Sequence, residues 1–194
     1  MKRREAVHLL AVAPLAAAFR WAPEAVGQAA LRARETLKRG AYEPKIFTAH
    51  EWETVRMLVD LIIPKDARSG SATDAGVPEF MDFMLGDDRD LETPVRGGLA
   101  WLDNECRERF NKTFIDCVEQ ERRAILDDIA FPKRAKPEHS HGVAFFNSFR
   151  NLTASGFWSS KMGIEDLQYQ GNRFVTEWQG CPPEALAKLG VRYP

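Results

Sequence analysis

Phe47-Thr48-Ala49-His50-Glu51-Trp52-Glu53-Thr54-Val55-Arg56-Met57-Leu58-Val59-Asp60-Leu61-Ile62-Ile63-Pro64 carries its own helix start and stop. Thr48 is placed to cap the first turn, Glu51 to reach back to it, and Phe47 to pack on Trp52 across the cap. Trp52, Val55, Val59 and Ile62 recur at helical spacing and give one buried stripe. Pro64 forbids another regular turn. This stretch predicts an α-helical fold.

Downstream, the same signals repeat. Lys65 to Ala75 reads as a polar loop, and Pro78 suits the first turn of a short helix that points Phe80, Met81, Phe83 and Met84 inward before Gly86. Thr93-Pro94 opens the next helix, with Val95, Leu99, Leu102, Cys106 and Phe110 on one face. Asn111-Lys112 makes a turn. Asp116, with Glu119 behind it, can cap a helix carrying Val118, Ile125, Leu126 and Ile129. Cys106 and Cys117 then flank a helical hairpin, where they could meet as a disulfide or stay as two reduced core thiols. Phe131 to Pro137 is a basic connection, and Val143 to Leu152 is a helix dense in aromatics. A last short helix spans Pro183 to Leu189 and stops at Gly190, after a stretch around Phe174-Val175 that reads as extended.

The segment from Gly156 to Asn172 breaks the pattern. Phe157, Trp158, Met162, Ile164 and Tyr169 alternate irregularly with Gly, Ser and Asn, fitting neither an amphipathic helix nor a strand. An irregular segment of this composition is either a packed Ω-type loop or a surface kept for a partner. The expected fold is therefore a mainly α, single compact helical domain with an irregular aromatic and Gly-rich C-terminal loop region.

Upstream, Ala29 to Arg39 is a basic helical segment stopped by Gly40. At the N-terminus, Lys2-Arg3-Arg4 precedes an Ala, Val and Leu run from Ala6 to Phe19, the layout of a secretory leader. The run is short for a bilayer span, and Arg3-Arg4 beside a mildly apolar stretch suggests the twin-arginine route, with cleavage after Ala18. A plain amphipathic N-terminal helix is the alternative. The expected organisation is a leader over 1–18, a basic helical connecting segment over 19–46 and the main domain over 47–194.

With 194 residues and a net charge of -1 from well-mixed acids and bases, the chain can bury a core and lacks the basic excess that nucleic acid partners require. Three cysteines exclude a disulfide scaffold and leave Cys181 as the odd thiol. No Gly-x-Gly-x-x-Gly, phosphate-binding loop, haem attachment site or Gly-x-Ser-x-Gly elbow is present, so no catalytic or cofactor-binding residue is assigned. His139-Ser140-His141 is the one metal-like spacing. With Glu138 or His50 it could assemble the site of a metal-dependent enzyme, while a turn or helix cap is the simpler reading.

Phe47-Thr48-x-x-Glu51-Trp52, Ile62-Ile63-Pro64, Ala75-Gly76-Val77-Pro78-Glu79-Phe80, Gly156-Phe157 to Gly163, Tyr169-x-Gly171-Asn172 and Gly180-Cys181-Pro182 occur in an order that resembles the gluconate 2-dehydrogenase subunit 3 family, over roughly Phe47 to Tyr193. The resemblance implies a non-catalytic small subunit of a sugar or glycoside dehydrogenase that is periplasmic or associated with the membrane through its partners. Its partner would be a large flavoprotein of the glucose-methanol-choline type that holds the FAD and passes electrons toward a cytochrome c. The small subunit would stabilise that flavoprotein and aid its twin-arginine export. A transient export chaperone, absent from the mature enzyme, is the alternative. On this reading Phe157, Trp158, Ser159, Ser160, Met162, Ile164, Tyr169 and Asn172 are the candidate partner contacts, and Cys181 could form an intersubunit disulfide.

Overall fold

The structure, a computed structural model, describes residues 21–40, 42–169, 176–177 and 180–192. Along these residues run α1 (Pro23–Arg39), α2 (Ala49–Ile62), α3 (Val77–Asp87), α4 (Arg89–Phe110), α5 (Glu119–Ala130), α6 (Ser140–Ser159), α7 (Lys161–Asp166) and α8 (Pro183–Leu189). A 3-10 turn at Pro137–His139 leads into α6. No strand occurs among the described residues, so the fold is mainly α as expected.

Helix α6 is the axis of the bundle and packs against α1, α2, α3, α4, α5 and α7. Its composition allows this. Phe145, Phe146, Phe149, Leu152 and Phe157 are buried, and so are Gly142, Thr153, Ser155 and Gly156 between them. A helix this rich in buried apolar and small residues packs on several sides, leaving positions such as His141, Arg150 and Trp158 exposed. The buried Thr153 hydroxyl is satisfied within the helix by the Phe149 carbonyl at 2.9 Å, while the Ser155 hydroxyl is buried without a partner among the described residues.

The α4–α6 crossing is interlocked through two glycines. A β-carbon on Gly98 of α4 would lie 1.8 Å from the ring of Phe145, and one on Gly142 of α6 would lie 2.5 Å from the ring of Trp101. Each helix thus sends an aromatic ring into a gap that the other leaves by omitting a side chain. The α3–α6 contact is similar, with Phe80 seated against Gly156.

Helix α2 starts as its sequence predicts. The Glu51 amide donates to Thr48 Oγ1 at 3.3 Å, the Thr48 amide donates to Glu51 Oε2 at 2.8 Å, and the Phe47 and Trp52 rings are 6.3 Å apart. The approach to this cap is held by a buried carboxylate. Asp82 of α3 accepts from the Tyr42 hydroxyl at 2.5 Å and from the amides of Lys45, Ile46 and Phe47 at 2.9, 3.0 and 3.3 Å. Four donors on one carboxylate replace the water it loses on burial. Burial first, then the hydrogen bond to Asp82, pushes the Tyr42 phenol well above its ordinary value.

Several boundaries differ from expectation. Helix α1 begins at Pro23, and its Ala29 and Ala33 are buried in the same core as the rest. Helix α1, within the expected connecting segment, therefore supplies a wall of the domain; small residues let α1 lie close on α3. Helix α4 begins four residues before Thr93, because Asp88 Oδ1 accepts the Asp90 amide at 3.1 Å and starts the helix there. Helix α5 begins at Glu119, with the Glu121 carboxylate returning to the Val118 amide at 2.9 Å, while Asp116 is engaged by the Thr113 hydroxyl instead of capping.

The largest correction concerns Gly156 to Asn172. Gly156 to Ser159 are the last turn of α6, and Lys161–Asp166 form α7. Periodicity failed because this turn buries small and large residues alike. Helix formation rests on local capping: Ser160 Oγ accepts the Gly163 amide at 3.0 Å, as an N-cap serine does. Residues 170–172 and Phe174-Val175 lie outside the described residues, as does the leader with Arg3, Arg4 and Ala18.

Candidate functional site

A groove of about 1050 Å³ runs along the domain between α1 and the corner where α6 turns into α7. One wall is α1, with Gln28, Leu31, Arg34 and Leu37. The floor is Ala75, Gly76 and Phe80, and the far wall is Ser159, Ser160, Met162 and Ile164. Leu31 is 56% exposed, Leu37 43% and Ile164 40%. Large aliphatic side chains this open, facing one another across a groove, form a contiguous apolar patch with no covering element among the described residues. Charges sit at its rim with both signs present: Arg34, Lys38 and Lys161 against Glu24, Asp74 and Glu165.

The far wall is shaped by the α6–α7 corner. Ser159 Oγ donates to the Ser155 carbonyl at 2.6 Å and Ser160 Oγ donates to the Phe157 carbonyl at 2.7 Å, which ends α6 tightly. The chain then doubles back so closely that Gly163 rests on the Phe157 carbonyl. Arg68 donates to the Asp166 carbonyl and ties the end of α7 to the 65–75 segment. Met162 reaches the same segment and lies against Gly70.

The expected partner contacts divide. Ser159, Ser160, Met162 and Ile164 line the groove. Trp158 does not line the groove; it is 39% exposed and edge-on to Phe157 with ring centroids 4.9 Å apart. Phe157 is a correction: at 1% exposure it belongs to the core, because the α6 register turns it inward. Tyr169, 65% exposed, follows α7, and Asn172 lies outside the described residues. Leu31 and Leu37 were missed. They fall on a segment whose basic residues read as a solvated face, and only the packing of α1 on α3 leaves these leucines at a groove.

The cysteines also divide. Cys106 and Cys117 are buried neighbours, both reduced, and Cys181 is exposed. Burial, followed by the neighbouring Cys117, pushes the Cys106 thiol up to about 12, and burial also raises Cys117.

His139 and His141 are not brought together with His50. His139 is buried edge-on to Trp101, 6.2 Å between centroids, with its Nε2 3.5 Å from the Arg109 guanidinium. His50 Nε2 is 2.5 Å from Asp103 Oδ2, and that buried carboxylate also accepts the Phe114 amide at 2.9 Å. Among the described residues no three His, Cys, Asp or Glu side chains gather as a metal-binding set. Nor is any described helix long and apolar enough to cross a membrane.

A family model described as gluconate 2-dehydrogenase subunit 3 matches residues 49–178, more than half of the chain. The chain belongs to the gluconate 2-dehydrogenase subunit 3 family. Searches of curated proteins and of solved structures returned no match. The match starts at the first residue of α2 and runs past α7, so it takes in the whole far wall of the groove. Helices α1 and α8 of this subunit 3 family member lie outside the matched residues.

Proposed function

We propose that this chain is the non-catalytic accessory subunit of a periplasmic FAD-dependent sugar or glycoside dehydrogenase, and that its groove between α1 and the α6–α7 corner receives the large flavoprotein subunit. Membership in a family described as a dehydrogenase subunit is the observation that carries this reading. The family description implies partner chains, and the groove offers exposed Leu31, Leu37 and Ile164, with exposed Trp158 next in sequence to Ser159 of its far wall. A few side chains at the centre of an interface, aromatic ones prominent among them, supply most of the affinity, and complementary charges at the rim set orientation. In this role the chain carries no cofactor. The glucose-methanol-choline-type flavoprotein holds the FAD and hands electrons toward a cytochrome c, while the accessory chain stabilises it and supports export through the Arg3-Arg4 leader. Cys181, exposed beyond the matched residues, is proposed to link covalently to the large chain.

The test is co-expression of this chain, alone carrying an affinity tag, with the flavoprotein encoded beside it. A yellow one-to-one complex recovered from the periplasm is the expected result. A complex recovered from the cytoplasm only, with this chain absent from the mature periplasmic enzyme, would establish a transient export chaperone. Non-reducing electrophoresis of the complex reads the Cys181 link: a higher-mass band that vanishes in Cys181→Ser is expected, and its absence in the wild type removes that part.

A further inference from the structure

Cys106 lies on α4 and Cys117 just before α5, and the turn between them is firmly closed. Asn111 in the left-handed region (φ 56°) ends α4 and reverses the chain. Asp103 of α4 then accepts the Phe114 amide at 2.9 Å, and Lys112 pairs with Glu121 of α5 at 2.9 Å. These ties hold Cys117 over Cys106, with 3% and 0% of their surfaces exposed and the two side chains interacting. We propose that Cys106 and Cys117 are a folding-gated disulfide pair, oxidised by an external disulfide while the α4–α5 hairpin is open and shielded from it once the hairpin closes.

The chemistry is thiol–disulfide exchange. A thiolate of one cysteine attacks a sulfur of the donor disulfide, forming a mixed disulfide and expelling one donor thiolate. The second cysteine thiolate attacks the protein sulfur of that mixed disulfide and expels the other. Two S–H bonds become one S–S bond, and the two electrons and two protons leave on the donor as two thiols. Each attack requires a thiolate and an open approach. The folded pair offers neither, since it is buried and the Cys106 thiol is pushed up to about 12. A chain that meets oxidant before folding would carry the bond. A chain that folds first, as twin-arginine cargo does, would keep the dithiol, so the state of this pair records which event came first.

Oxidised glutathione is the probe, applied to the full chain with Cys181→Ser so that the exposed thiol does not contribute. One sample is native and the other refolds from denaturant; both are alkylated under denaturing conditions and mapped by mass spectrometry without reduction. The refolding chain should yield a Cys106–Cys117 linked peptide. The native chain should react at least ~30-fold more slowly, because its thiolate fraction falls by about three powers of ten and greater thiolate nucleophilicity recovers about half of that exponent. Equal rates in the two samples would overturn the gate. A refolding chain that yields only glutathione adducts, as Cys106→Ser and Cys117→Ser controls should, would overturn the pair. Peptide mapping of the wild type repeats both readings if Cys181→Ser folds poorly.

Discussion

A β-carbon on Gly163 would lie 2.0 Å from the carbonyl oxygen of Phe157. The obstacle is backbone, so no rotamer change relieves it, and the α6–α7 corner can close only over a glycine. Gly163→Ala should lower stability by about 2 kcal/mol and displace α7, taking Ile164 and Met162 with it. Thermal denaturation reads the first effect, and weaker capture of the large subunit reads the second. Unchanged stability would mean that the corner is looser than its geometry indicates.

Phe157 and Trp158 are sequence neighbours with opposite exposure, 1% against 39%. Truncating the buried ring, Phe157→Ala, should cost roughly 3–5 kcal/mol of stability through the cavity it leaves. Trp158→Ala should leave thermal stability nearly intact and weaken association by about 2 kcal/mol if the exposed ring anchors the partner. Paired unfolding and binding measurements on the two variants separate core from interface, and equal affinity for wild type and Trp158→Ala would remove Trp158 from the docking face.

Gly98 and Phe145 should be energetically coupled. Gly98→Ala drives a methyl group into the ring and should cost about 1–3 kcal/mol or more. In the Phe145→Ala background that penalty should largely disappear, because the vacated ring leaves room. A double-mutant cycle by denaturant unfolding gives the interaction energy. Simple additivity would show that α4 and α6 can shift apart without cost.

Asp82 should be the costliest single polar residue to remove. Asp82→Ala leaves the amides of Lys45, Ile46 and Phe47 and the Tyr42 hydroxyl without their acceptor, at about 3 kcal/mol or more. Hydrogen exchange should speed up first across residues 42–48, ahead of the α2 cap. Exchange that rises equally everywhere would contradict a local anchor.

Glu79 predicts a pH dependence. It is buried, its Oε2 meets no donor among the described residues, and burial raises its carboxyl above the ordinary value. The folded state then holds this proton to higher pH than the unfolded state does. Stability is fully present below the unfolded carboxyl value and declines as pH rises from there through the folded value. Glu79→Gln, neutral at every pH, should flatten that decline and raise stability at neutral pH. A variant with the same pH profile as the wild type would exclude Glu79 as its source.

Much of this molecule can be read residue by residue. The Thr48 and Glu51 cap, the Trp52 and Phe47 staple, the stripe from Val95 through Cys106 and the stops at Gly40 and Gly190 each depend on neighbours within one or two turns. Local hydrogen bonding and helical spacing decide such features, and both are written in the chain. Family membership was legible for the same reason, since short motifs in a fixed order survive without reference to the fold.

What the tertiary structure alone decided are the features that join distant residues. Asp82 and Asp103 look like any other acids on a helix until the folded chain brings four amide or hydroxyl donors to the first and the Phe114 amide and His50 to the second. The Gly156 segment resisted a helical reading because hydrophobic periodicity reports one buried face, and the end of α6 is buried on nearly all sides by α1, α3 and α7. The groove itself belongs to no segment. Leu31 and Ile164 lie far apart in sequence, and only the docking of α1 on α3, together with the backbone contact at Gly163, sets them across from each other.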